Sequence, residues 1–151
     1  MSSRIEDLEP VTRKLCVDFL LACENAGHVL RVTHTMRTRD EQLHLYAQGR
    51  ELRDGLWVVT NPSRVVTKAM PGHSAHNFGM AFDVCWEGGD PYLHAYEVAH
   101  KKVDPRWFAI GEIGEAKIGL SWGGPRGPKD DFTFDNPHFQ RPNWRRARDD
   151  A

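Results

Sequence analysis

Leu8, Val11, Leu15, Phe19, Ala22 and Ala26 recur every three or four residues, which lines up one face of an α-helix, and Gly27 follows as a residue suited to close it. Val29 to Thr33 then reads as a strand. Thr38 and Glu41 make a capping-box pair, so a second helix is predicted over Arg39 to Gln48, ended by Gly49. Residues 50–75 keep no period and read as a long loop with short strand pieces, unusual in a small domain unless it borders a site. Met80 to Trp86 alternates as a strand does: Met80, Phe82, Val84 and Trp86 point one way, and Ala81, Asp83 and Cys85 the other. A helix from about Pro105 to Ile118 follows, with short strands at Leu120–Trp122 and His138–Gln140. His94 and His100 fall in a further segment with helical character, on the surface. The end, Arg141 to Ala151, is basic and then acidic and reads as a surface tail.

At 151 residues the chain favours one domain, 1–151, without internal repeats. Apolar residues make up 40%, with five Trp and seven Phe, so a packed core replaces any reading as a disordered chain. A formal net charge of −1 supplies no global field toward nucleic acid or a membrane surface. No run approaches the roughly 20 apolar residues of a membrane span. Met1 to Pro10 lacks the apolar stretch of a signal peptide, so synthesis in a cytoplasm is expected. Three cysteines, an odd number, do not make a disulfide framework; free thiols are expected, with Cys16 and Cys23 in the core.

The chemistry concentrates in two segments. Asp83 stands in an otherwise apolar strand, where an unpaired carboxylate is costly, and its neighbours Ala81 and Cys85 are small enough to leave room for a cation. An arginine partner or a loop cap would satisfy it equally well. His76 lies seven positions earlier, and Gly79 between them allows a tight turn that could bring both side chains to one ion. Near the other end, Asp135-Asn136-Pro137-His138 offers a histidine and a carboxylate on a connector stiffened by Pro137, although the same residues would serve a turn. Three ligands and one spare carboxylate are the inventory of a catalytic zinc site with one open position. Zinc held so lowers the pKa of its water to about 7, and a carboxylate nearby could take the proton. The chemistry suited to that set is hydrolysis of an unactivated bond such as an amide.

Ser74-x-His76-x-x-Gly79-x-Ala81-x-Asp83 followed by Asp135-x-x-His138 resembles the zinc D-Ala-D-Ala carboxypeptidase/dipeptidase superfamily of cell-wall enzymes. Within it the chain is most like the phage L-alanyl-D-glutamate endopeptidases, or endolysins. Arg37-Thr38-x-x-x-Gln42, the segment Leu45 to Arg50, and Gly119-Leu120-x-Trp122-Gly123-Gly124 agree with it, so the resemblance covers roughly Leu30 to Gln140. It implies one Zn²⁺ on His76, Asp83 and His138, and Asp135 as the catalytic carboxylate. The dipeptidases usually carry Glu at the latter position, and Asp resembles the endolysin branch. It also implies Arg37 as the group holding the tetrahedral oxyanion or the substrate, and Ser74 and Gln42 as substrate contacts. Together with the element order it implies a small α+β domain of the hedgehog/D-Ala-D-Ala peptidase type, its central, mostly antiparallel sheet flanked by helices.

The activity implied is cleavage of the L-Ala–D-Glu bond in bacterial peptidoglycan stem peptides by a monomeric enzyme that waits in the host cytoplasm until a holin opens the membrane. The alternatives are a D,D- or L,D-carboxypeptidase of the same superfamily and a non-catalytic, zinc-stabilised wall-binding module. His73 reads as a rim residue, and His28, His34, His44, His94 and His100 have no partner at ligand spacing. Pro125 to Phe134 is long for the family; its Asp130 and Asp131 could bind a second cation or simply form a solvated loop. Arg141, Arg145, Arg146 and Arg148 with Trp144 could meet anionic wall polymers or form a solvated face.

Overall fold

The computed structural model describes residues 1–125 and 135–150. Helix α1 (Pro10–Asn25) leads to β1 (Leu30–His34), α2 (Arg39–Ala47) and a hairpin of β2 (Arg50–Arg53) and β3 (Leu56–Val59). Strand β4 (Ala81–Trp86), α3 (His94–His100), α4 (Pro105–Glu112), β5 (Ser121–Trp122), β6 (His138–Gln140) and α5 (Trp144–Asp149) follow. Four strands form one sheet in the order β1-β4-β6-β5, every neighbouring pair antiparallel. This is the α+β class read from the sequence, helices flanking an antiparallel sheet. The candidate cation pair Asp130 and Asp131 lies outside the described residues.

The strand alternation holds for the core. Phe82, Val84 and Trp86 of β4 join Phe19, Trp107, Ile110, Trp122 and Phe139 in one apolar cluster. Phe139 of β6 lies 4.4 Å from Phe19 of α1, ring centre to ring centre. All six residues of β4 are buried: β1 and β6 flank the strand, Phe82 packs on Phe19 of α1 at 5.8 Å between ring centres, and the Ala75–Phe78 turn contacts the strand. Helix α1 is rotated from the expected stripe. Its buried residues are Thr12, Cys16, Phe19 and Cys23, while Val11 is 46% exposed and Ala26 lies at the surface. Thr12 can go inside because Glu9, the N-cap, accepts from both its hydroxyl and its backbone N–H. The three cysteines are free and buried.

Two segments bear on the site, the first with the short strand pieces expected of it and the second more ordered than a surface tail. Residues 50–75 contain the β2–β3 hairpin, and its start is tied to the next stretch of chain: Arg50 donates to the carbonyls of Tyr46 and Thr67 at 2.7 and 2.9 Å. The tail is not a solvated strip. After Gln140 the chain forms α5, and Trp144 is only 4% exposed. Its ring stacks on Phe78 at 5.9 Å and packs in a second apolar cluster with Ala75, Met80 and Ala81. Met80 therefore packs with Ala81 and not with Phe82. The arginines do line this helix, but the Arg145 and Arg148 guanidiniums lie over the Trp144 ring at 4.5 and 5.6 Å. An aromatic face attracts the cation and lets the helix bury its one large apolar side chain.

Trp144→Ala removes the brace on the Ala75–Phe78 turn and should destabilise the protein by about 3 kcal/mol or more, read as a lower urea midpoint; a solvated tail would show no shift.

Candidate metal centre

The two segments singled out for chemistry meet at the sheet. Asp83 in β4 pairs directly with His138 in β6, which puts both side chains on one face. His76 comes from a 3₁₀ turn, Ala75–Phe78, that enters β4 through Gly79. Gly79 takes φ +66°, and a β-carbon there would press on the Asp7 carbonyl and Glu9 N–H at 3.0 Å. The turn is capped reciprocally by Ser74 and Asn77. One ligand atom from each of His76, Asp83 and His138 lies within 4.8 Å of the others, so this cluster could hold a metal ion.

The donor set suits a borderline-soft divalent cation such as zinc: two imidazoles, one carboxylate, no thiolate. The outward nitrogens are already assigned. His76 Nδ1 donates to the Thr35 carbonyl at 2.7 Å, which leaves Nε2 facing Asp83 Oδ1 at 3.4 Å. His138 Nε2 donates to Gln140 Oε1 at 2.8 Å, leaving Nδ1 on Asp83 Oδ1 at 3.2 Å. Such partners fix the tautomer and orientation of a ligating histidine. Gln140, two positions along β6, and Thr35 escaped the sequence reading. Strand alternation does place 138 and 140 on one face, but a glutamine carries no signal of its own. His34, which has no partner at ligand spacing in the sequence, is brought by the fold against Asp83, its Nδ1 3.2 Å from Oδ2.

Asp83 sits with its side chain 12% exposed. Burial alone would raise its pKa, but hydrogen bonds from His138, His34 and His76 outweigh this and hold the carboxyl far below the usual range. Burial likewise opposes charging His138, yet the Asp83 hydrogen bond and charge win, and its pKa rises. Without metal these contacts favour the charged form of His138 against the cost of burial. Proton and metal compete for the same Nδ1.

Arg37 and Asp135 line the same cleft, of about 240 Å³, together with Ser74, Leu45, Val66 and Thr67. The backbone of Arg37 is locked to the metal-binding turn: its N–H donates to the His76 carbonyl at 2.9 Å, and Asn77 Nδ2 donates to its carbonyl at 3.0 Å. Gln42 was expected to touch substrate. It is fully buried instead, its oxygen accepting from Arg37 Nη1 at 2.8 Å and its amide donating to the Ala69 carbonyl at 2.7 Å. Both ends are spent inside, so it positions Arg37 and the cleft wall. Ser74 lines the cleft, but its hydroxyl also accepts from His76 N–H at 3.3 Å. Asp135 presents accessible surface to the cleft, while the cleft walls strip water from part of its carboxyl. That desolvation and the charge of Asp83 push its pKa up, against the pull of His138, His76 and Arg37. His73 is exposed.

A pH effect follows with a defined sign. A raised His138 pKa stabilises the metal-free fold fully below the ordinary histidine value of about 6.5, and that contribution disappears as pH rises through the raised value. Metal binding must displace the proton and gains as pH rises. The thermal shift caused by one equivalent of Zn²⁺ should therefore be larger at pH 8 than at pH 6, and binding should release protons measurable by titration calorimetry in two buffers.

Comparison with known proteins identifies the family. The VanY, D-alanyl-D-alanine carboxypeptidase, family model matches residues 6–107. The peptidoglycan L-alanyl-D-glutamate endopeptidase CwlK of Bacillus subtilis (strain 168) is 29% identical over 121 residues, 78% of this chain. The chain spans 66% of the length of that relative. Among solved structures, the LdcB LD-carboxypeptidase superposes with a TM-score of 0.58 at 20% identity, covering 98% of this chain and 74% of its own. The vancomycin-resistance D,D-pentapeptidase VanY, solved in complex with Zn(II), superposes with a TM-score of 0.60 at 16% identity, covering 94% and 76%. At these identities the two structures speak to the fold. With the family model spanning more than half of its residues, the chain belongs to the VanY D-alanyl-D-alanine carboxypeptidase family of peptidases.

Proposed function

We propose that the protein is a zinc-dependent peptidoglycan endopeptidase that cuts the L-Ala–D-Glu bond of stem peptides. The observation that carries the hydrolytic part is the convergence of His76, Asp83 and His138 in one cleft with Asp135 and Arg37. The likeness to CwlK, an L-alanyl-D-glutamate endopeptidase by name, favours this bond. Asp at position 135 supports the same branch by resemblance.

In this reading His76, Asp83 and His138 hold the ion, which when bound supplies Lewis acidity to a water and to the scissile carbonyl. Asp135 takes the proton of the attacking water as oxygen adds to the L-Ala carbonyl carbon. Its raised pKa suits this task, because a carboxyl nearer neutrality both accepts and returns a proton more readily. The same proton then goes to the D-Glu nitrogen as the C–N bond breaks. Arg37 faces the developing oxyanion with a planar fork of donors. Its Nη1 is held by Gln42 Oε1 at 2.8 Å, which fixes the plane of the fork.

The second reading is a carboxypeptidase, favoured by the family description and by neighbours such as LdcB. Digestion of purified sacculi with mass spectrometry of the fragments separates the two. New D-Glu amino termini support the endopeptidase; free D-Ala without them supports the carboxypeptidase; no new termini leave a wall-binding module.

Asp135→Ala should keep one equivalent of zinc and lose activity on the order of 10² to 10⁴-fold. Retained activity would remove Asp135 from the base role.

A further inference from the structure

The ladder between β1 and β4 contains one irregularity, and it falls at the metal centre. Leu30, Arg31 and Val32 pair with Trp86, Cys85 and Val84, but the next partner of Asp83 is His34 and not Thr33. Thr33 is the extra residue of a β-bulge. In an unbroken ladder Thr33 would share the face of Asp83 and His34 would turn to the other side. Bulges re-aim a side chain in this way beside functional sites.

The consequence is a divided carboxylate. Oδ1 of Asp83 faces His76 Nε2 at 3.4 Å and His138 Nδ1 at 3.2 Å. Oδ2 faces His34 Nδ1 at 3.2 Å. Thr33 Oγ1 lies 3.3 Å from the same nitrogen, so hydroxyl and carboxylate both meet the ring at Nδ1. His34 is not among the three residues whose ligand atoms cluster within 4.8 Å. It therefore stands behind the carboxylate, not beside the ion. Its side chain is 42% exposed, so apolar burial does not explain its placement. An ordinary exposed ion pair would contribute little stability.

Carboxylates bind cations through one oxygen or two. A three-residue zinc site in which each residue supplies one atom leaves the fourth tetrahedral position to water or substrate. We propose that His34 is a positioning residue that occupies Asp83 Oδ2, so that Asp83 offers the metal Oδ1 alone and a coordination position stays free for water and substrate. A neutral imidazole with its proton on Nδ1 suffices. The inference rests on the metal reading of the site.

The test uses the full chain in three forms, wild type, His34→Ala and His34→Gln, with His76→Ala as the control that destroys the site. Zinc affinity is measured by competition with a chelating dye, and the visible spectrum is recorded with Co²⁺ in place of zinc. His34→Ala should weaken zinc binding about 10- to 100-fold and dim the Co²⁺ bands, as a second Asp83 oxygen raises the coordination number. His34→Gln, whose amide N–H can reach the same oxygen, should recover part of both. A wild-type spectrum in His34→Ala overturns the proposal, even if affinity falls, because a merely structural histidine would not alter coordination. A glutamine variant as impaired as alanine in both readouts also overturns it. Failure of the wild type to bind metal refutes the site itself, an outcome distinct from a normal site that ignores His34.

Discussion

A carboxylate buried in an apolar strand constrains this protein more than any other single feature. Asp83 occupies the middle of β4, in which every residue is buried, and removing water from a charged oxygen pair is costly unless donors replace it. Three imidazoles do so, from β1, from the turn before β4 and from β6. The junction of three segments and the candidate metal centre are therefore the same object. When metal is absent, hydrogen bonds from the histidines stabilise the carboxylate. When it is present, the ion takes that part.

Around this junction the supporting contacts are short and directional. The Thr35 carbonyl and the Gln140 side chain hold the far nitrogens of the two histidine ligands. Asn77 caps the turn that carries His76 and also reaches the Arg37 carbonyl. Gln42 links Arg37 to the Ala69 carbonyl, and Arg50 ties the Thr67 carbonyl to the end of α2. The cleft wall formed by Val66 and Thr67 is thus anchored to the same helix that positions the arginine. This explains why residues 50–75, which lack periodicity, have a place in a small domain: their backbone closes the site.

The solved relatives share this fold at 20% identity or less. In this chain the candidate centre makes local demands: a carboxylate and a histidine in register on adjacent strands, and a second histidine on a capped turn. The bond that is cut depends on how the cleft wall receives the substrate on either side of that centre, which is a separate matter from the metal geometry.

Much was readable from the residues themselves. Capping pairs and strand alternation depend on chain neighbours within a few positions, and the helices at Pro10 and Arg39 and strand β4 followed from them, whereas the meeting of His76, Asp83 and His138 was implied by the family resemblance. What could not be read depends on cross-strand register and on packing between distant segments. Residue types alone gave no reason to seat Trp144 on Phe78, to rotate α1 toward Thr12, or to enclose Gln42. Nor did they set His34 against Asp83, because a single extra residue in a strand moves a side chain to the opposite face and leaves the amino-acid pattern unchanged. The sequence alone determined which groups were available to bind a metal; tertiary structure decided which oxygen and which nitrogen each one presents, because those are set by partners far along the chain.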